Sequence, residues 1–120
     1  MNKKRIIKWS IFLIILIGLV YWVFSSYNAP GKYDNLAKCM TEKGMVMYGT
    51  DWCPHCINQK ALFGKSFKLI TYKNCDYNKV VCDLNNVTGY PTWISPEKRF
   101  EGEQTIEALA SATGCEIDPQ

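Results

Sequence analysis

The feature that most constrains this chain is a pair of cysteines separated by two residues, in Asp51-Trp52-Cys53-Pro54-His55-Cys56. A strand-like apolar run over 45–48 leads into it, and helix-like residues follow from Pro54. That arrangement puts Cys53 at a helix N-terminus, where unpaired backbone N–H groups and the helix dipole favour negative charge. The thiolate is the reacting form of cysteine, so such a position makes Cys53 the nucleophile of a dithiol/disulfide switch. Pro54 suits the first helical turn, because its missing N–H would have gone unpaired there. His55, when protonated, adds positive charge beside the same sulfur. Cys56 falls one turn further in, less exposed, and reads as the resolving thiol. Two blander readings stand beside this one: a disulfide that only staples the fold, or half of a zinc site. The strand–CxxC–helix context favours redox exchange over both.

A chain of 120 residues holds one domain with a little to spare, and the surplus lies at the front. Lys3, Lys4, Arg5 and Lys8 give the first 28 residues a charge of +4, with no acids. The whole chain is +3, so the remaining 92 residues carry −1. That near-neutral part lacks the clustered Lys and Arg that nucleic acid binding uses. The apolar stretch over 6–24 is nineteen residues long, close to the ~20 that a bilayer core needs. Its uninterrupted part, 11–24, is fourteen residues, which also suits a signal peptide. Bulky Trp22, Phe24 and Tyr27 crowd the available cleavage site, and Trp9, Tyr21, Trp22 and Tyr27 resemble an interfacial aromatic belt. A retained anchor is the preferred reading, with a cleaved signal still open. The positive-inside bias keeps the basic end cytoplasmic and sends the remainder across the membrane. Six cysteines in so short a chain, beside such a segment, point to an oxidising compartment outside the cytoplasm.

The chain therefore divides into an anchor and linker over 1–28 and a folded domain over 29–120. Asn28-Ala29-Pro30-Gly31 marks the turn-rich linker. A helix is expected over 34–43, with Leu36 and Met40 on one face and Gly44 as its cap. The apolar run over 45–49 is too continuous to alternate, so both faces of that strand are expected to be buried. The helix carrying the two thiols should span 54–65, with Ile57, Ala61 and Leu62 at helical spacing. A second strand follows over 68–73, then a turn and a short helix over 79–86 bearing Val80, Val81 and Leu84. Gly89-Tyr90-Pro91 breaks that helix before a third strand over 92–94. A fourth, edge strand covers 99–101, and a last helix covers 105–113, with Ile106, Leu109 and Ala110 inward and Gly114 closing it. The expected class is α/β.

Taken together, three features resemble the thioredoxin superfamily over about 33–115. They are Trp52-Cys53-Pro54-His55-Cys56 after a strand, Asn74-Cys75-Asp76 after the next, and Gly89-Tyr90-Pro91-Thr92 before the third. The resemblance implies a four-stranded mixed sheet flanked by helices, here behind one N-terminal transmembrane helix. In that family the proline is cis and lies against the CxxC pair; the position that matches is Pro91, preceded by Tyr90. With no N–H at Pro91, the backbone of Tyr90 is left to pair with an extended substrate. Trp52, Tyr90 and Pro91 are thus the expected substrate-binding residues, beside catalytic Cys53, Pro54, His55 and Cys56. An ordinary trans proline opening an edge strand is the alternative.

More narrowly, the domain is similar to the thioredoxin-like partner of bacterial vitamin K epoxide reductase homologues. The resemblance rests on Cys39-Met40-Thr41-Glu42-Lys43-Gly44, Met47-Tyr48-Gly49-Thr50, the Cys-Pro-His-Cys motif and Gly89-Tyr90-Pro91-Thr92-Trp93. Cys-Pro-His-Cys is also the motif of DsbA-type disulfide oxidases, although this chain has no room for their inserted helical domain. Thioredoxins bury an Asp in the strand before CxxC; the matching residue here is Met47, which argues against a dedicated reductase. The resemblance implies a donor of disulfides to cysteine-containing exported proteins, periplasmic or at the cell surface. It also implies reoxidation by a quinone-linked membrane partner of the vitamin K epoxide reductase or DsbB kind. Alternatives are a reductase or isomerase, including one serving cytochrome maturation, and a non-catalytic module of the same fold.

Cys39, Cys75, Cys82 and Cys115 allow three pairings. The expected set joins Cys75 to Cys82, from the end of the second strand to the next helix, and leaves Cys39 with Cys115. A second redox relay at Cys75 and Cys82 is the competing reading. No cofactor is expected. Metal binding is disfavoured, because His55 cannot readily share a tetrahedral site with both flanking cysteines at a helix start. Asn86-Val87-Thr88 matches a glycosylation acceptor, relevant only in a eukaryotic secretory host. Trp93 and Phe67 read as core.

Overall fold

The computed structural model describes residues 2–119. Met1 and Gln120, the outermost residues of the two expected segments, lie outside the described residues. The first element is a helix, α1 (Lys3–Tyr27), whose side chains are all exposed. It is long and apolar enough to cross a membrane. At a rise of 1.5 Å per residue, its 25 residues span about 37 Å.

After the linker comes α2 (Asp34–Glu42), which buries Leu36, Ala37 and Met40. Gly44, at φ +79°, takes the left-handed conformation that lets the chain turn straight into β1 (Val46–Gly49). The first turn of α2 borrows its acceptors from the far end of the chain. Asp118 Oδ2 accepts from Asn35 N at 3.0 Å and Asp118 Oδ1 from Leu36 N at 2.9 Å. Two of the N–H groups that a helix start leaves unpaired are thereby satisfied. A disulfide between Cys39 and Cys115 ties the same two regions together.

The helix α3 (Pro54–Phe63) follows β1, and a 3₁₀ segment (Gly64–Leu69) continues it. Sequence spacing extends the helix to 65 and opens the second strand at 68. The structure ends α3 at Gly64 and begins β2 (Thr71–Asn74) later. The 3₁₀ turns bury Ser66, which donates to Asp34 Oδ1 at 2.8 Å and accepts from Tyr33 N at 2.8 Å. That anchor on α2 sets where the strand can start. The Ser66 hydrogen bond is the main reason the Asp34 carboxyl sits below its usual range.

The remaining elements are α4 (Lys79–Leu84), β3 (Thr92–Ile94), β4 (Arg99–Glu101) and α5 (Ile106–Thr113). The four strands form one mixed sheet in the order β2-β1-β3-β4. Strand β1 runs parallel to β2 and antiparallel to β3, and β3 is antiparallel to β4. Successive residues of β1 enter opposite cores, as strand geometry requires. Met47 joins Leu36, Met40, Phe63, Trp93 and Leu109 on one side. Tyr48 joins Cys75, Cys82 and Val87 on the other. Both faces of β1 are thus covered, as its unbroken apolar run implies.

Candidate active site

Strand β1 ends at Gly49, and the chain loops through Thr50, Asp51 and Trp52 into α3. Cys53 is the N-cap, with extended backbone at φ −71° and ψ 121°, and Pro54 opens the first turn. The Cys53 sulfur accepts from Cys56 N at 3.2 Å, the capping bond that an Ser or Asp oxygen makes elsewhere. It also lies 3.6 Å from the Tyr90 carbonyl oxygen, to which a thiol proton can be donated. Both cysteines are free thiols and both are buried, Cys56 completely. Burial, and then the contact with Cys53, push the Cys56 thiol up to about 12. The pair is therefore asymmetric: one sulfur receives a helix-end N–H, and the other is a neutral thiol in the core.

Gly49 makes room for the second sulfur. A Cβ built on it would stand 2.7 Å from Cys56 Sγ, well inside contact distance. The ring of Tyr72 lies over the same backbone position, 3.5 Å from that hypothetical carbon. Above it, Lys60 Nζ sits 3.9 Å from the Tyr72 ring centroid and 2.8 Å from Asp51 Oδ1. Asp51 also accepts from Tyr72 Oη at 3.1 Å and from Asn74 Nδ2 at 2.9 Å. The Lys60 hydrogen bond, then that of Tyr72, holds the Asp51 carboxyl below its usual range. Burial, then Asp51, raises the Tyr72 hydroxyl.

The structure brings the expected site residues to one end of the sheet. The Tyr90–Pro91 peptide is cis, and Pro91 is buried. Trp52 stands out from the surface and meets Tyr90 edge to face, with ring centroids 6.3 Å apart. The side chain of His55 is 72% exposed and its Nδ1 lies 2.7 Å from Glu103 Oε1. Any positive charge on His55 is thus shared with a carboxylate that nothing in the Cys-Pro-His-Cys motif announces. His55, then Asn58, draws the Glu103 carboxyl below its usual range. Among the described residues, no group of three His, Cys, Asp or Glu is placed to hold a metal ion.

Other members of the site carried no signal in the sequence. Glu103 reaches α3 because Gly102 N donates to the Pro91 carbonyl at 2.8 Å, pinning the loop after β4 beside the cis peptide. Gln59, three residues beyond Cys56, is fully buried. Its Oε1 accepts from Trp93 Nε1 at 3.2 Å and from Gln104 N at 2.7 Å, while its Nε2 donates to Gln104 O at 3.0 Å. One amide thereby locks α3 to β3 and to the loop before α5. The pattern of α3 does the opposite of what Ile57, Ala61 and Leu62 suggest: these are exposed, and Cys56, Gln59 and Phe63 face inward. A helix start carrying two buried sulfurs turns the polar-looking face to the core.

No family model matches the chain. Among curated proteins, it is 37% identical over 92 residues to thiol-disulfide oxidoreductase LTO1 of Arabidopsis thaliana, covering 69% of this chain and 24% of that protein. It is 36% identical over 86 residues to protein disulfide isomerase-like 2-1 of Oryza sativa subsp. japonica, covering 60% and 24%. A third relative is the probable protein disulfide-isomerase A6 of Medicago sativa, 37% identical over 90 residues and covering 62% and 25%. The fold is thioredoxin-like. The chain spans about a quarter of the length of the curated relatives it matches. These relatives are named as a thiol-disulfide oxidoreductase and as protein disulfide isomerases.

Proposed function

We propose that this chain is a membrane-anchored, extracytoplasmic thiol-disulfide oxidoreductase that donates disulfides to exported proteins. The observation that carries the reading is the asymmetry of the pair: Cys53 Sγ accepts from Cys56 N at the start of α3, while Cys56 is buried against Gly49. Whatever favours the Cys53 thiolate stabilises the reduced protein and makes its disulfide a stronger oxidant.

In the oxidised state, a substrate thiolate attacks Cys53 Sγ. The Cys53–Cys56 bond breaks, and its electron pair leaves on the Cys56 sulfur, which takes up a proton. The mixed disulfide so formed is attacked at the substrate sulfur by a second substrate thiolate, and Cys53 departs as the thiolate. Two electrons and two protons leave the substrate dithiol, and the CxxC pair ends reduced. Trp52, Tyr90 and Pro91 flank Cys53 and serve as the substrate-binding residues, with the Tyr90 backbone available to an extended chain. Reoxidation falls to a quinone-linked membrane protein of the vitamin K epoxide reductase or DsbB kind. An anchor such as α1 raises the effective concentration of the domain beside a partner of this sort. The remaining cysteines, paired as Cys75–Cys82 and Cys39–Cys115, serve the structure.

Isomerase activity is a second reading, favoured by relatives whose names carry that activity. Mixing the oxidised full chain, in detergent, with reduced ribonuclease A separates the two. A donor consumes its own disulfide stoichiometrically as ribonuclease thiols disappear, whereas a Cys56→Ser variant, which holds no disulfide to give, leaves those thiols unoxidised. A chain that leaves reduced ribonuclease untouched but reshuffles a scrambled form is an isomerase. Inertness toward both would overturn the assignment.

A further inference from the structure

The Cys75–Cys82 disulfide lies closer to the chemistry than a staple needs to. It closes a short loop, with a sequence separation of 7, between the end of β2 and α4. Cys75 N donates to Gly49 O at 2.8 Å, and Gly49 is the residue against which Cys56 Sγ rests. Inside the loop, Asp76 Oδ2 accepts from Trp52 Nε1 at 2.9 Å. Asp76 is itself held by its backbone N–H, which donates to Asn74 Oδ1 at 2.9 Å. Asn74 in turn donates from Nδ2 to Asp51 Oδ2, on the loop that carries Trp52. The second aromatic wall, Tyr90, packs against the cluster formed by Tyr48, Cys75, Cys82 and Val87. Trp52 is therefore bonded directly to this loop, and Tyr90 packs on the cluster that its disulfide helps to build as well as on the main core.

An indole that is 66% exposed has little packing to fix its orientation. Its edge contact with Tyr90 and its hydrogen bond to Asp76 are what hold it. A side chain left free in the unbound protein must be ordered when substrate arrives, and that cost weakens binding. We propose that the Cys75–Cys82 disulfide and Asp76 act as positioning elements that preorganise Trp52 and Tyr90 for protein substrates, and that they take no part in the exchange at Cys53 and Cys56. The inference rests on the substrate-binding role given above to those two rings.

The test compares the full-length chain in detergent with its Asp76→Ala, Asp76→Asn and Cys75→Ser/Cys82→Ser variants. Reduced ribonuclease A is the protein substrate, glutathione disulfide in fixed excess reoxidises Cys53 and Cys56 between turnovers, and glutathione is a small thiol that needs no platform. Losing one hydrogen bond to a carboxylate should raise the KM for ribonuclease about 3- to 10-fold in Asp76→Ala, with kcat held within about twofold. The double-serine variant should show the same split, and Asp76→Asn, which keeps an acceptor oxygen, should recover most of the loss. In a Trp52→Phe background, Asp76→Ala should add almost nothing, because the contact it removes is already gone. An unchanged KM in Asp76→Ala would overturn the inference, even if the double-serine variant failed to fold. So would a rise in KM that persists in the Trp52→Phe background. A parallel loss of glutathione exchange would likewise overturn it, by showing the loop to be purely structural. Failure of the unmodified chain to exchange with either thiol would instead sink the functional reading itself.

Discussion

At the residue scale, the two sulfurs of the site owe their difference to position alone. Cys53 caps α3, and Cys56 lies one turn inside it, against a glycine. With its thiol pushed up to about 12 from an ordinary 9.0, Cys56 binds its proton more tightly in the folded, reduced protein than in the unfolded chain. A raised value of this kind contributes stability that is complete below the unfolded pKa and is lost as pH climbs toward the folded one. The reduced protein should therefore lose denaturant resistance from about pH 9 upward, measured by urea unfolding across pH. The oxidised protein, which lacks that thiol, should show less of this loss. Gly49→Ala places a carbon 2.7 Å from Cys56 Sγ. Overpacking of this sort should cost about 1–3 kcal/mol and slow exchange, read by unfolding and by the rate of thiol oxidation. Gln59→Leu strands the Trp93 N–H in the core and takes the acceptor from the half-buried Gln104 N–H, and should cost about 1–3 kcal/mol in the same unfolding assay.

Local chemistry made most elements legible in the sequence. The caps at Gly44 and Gly114 and the short edge strand at Arg99–Glu101 stand where turn residues place them. The helix expected over 79–86 stops sooner: α4 ends at Leu84, and Asn86, at φ 53°, turns the chain before Gly89-Tyr90-Pro91 is reached. What the sequence hid was decided by tertiary contacts. The start of β2 depends on Ser66 reaching Asp34, and the inward face of α3 depends on Gln59 finding partners in β3 and the loop before α5. Val80 and Leu84 look like a core face, yet α4 leaves them exposed and buries Cys82 instead. A disulfide can fix so short a helix with little apolar packing. Glu103 could not be foreseen, because the loop that delivers it is set by Gly102 bonding to Pro91. The two disulfides should differ in worth. Their sequence separations are 76 for Cys39–Cys115 and 7 for Cys75–Cys82. Chain-entropy arguments give about 4.5 kcal/mol for the longer loop and about 2.5 for the shorter. Paired serine variants compared by chemical unfolding should reproduce that order; a larger loss at Cys75–Cys82 would contradict it.

At the scale of the whole molecule, a thioredoxin-like domain follows a helix long and apolar enough to cross a membrane. If α1 anchors the chain as proposed, the protein should stay with membranes through alkaline carbonate extraction. A protease added outside intact spheroplasts should then digest the domain, and protection would place it on the other side. The account turns on the redox poise of Cys53 and Cys56, and equilibration of the full chain with glutathione at pH 7 measures it directly. A disulfide donor should settle between about −120 and −180 mV, in the range of the oxidising members of this fold. A value near −270 mV, where thioredoxin lies, would make the chain a reductase and contradict the central claim.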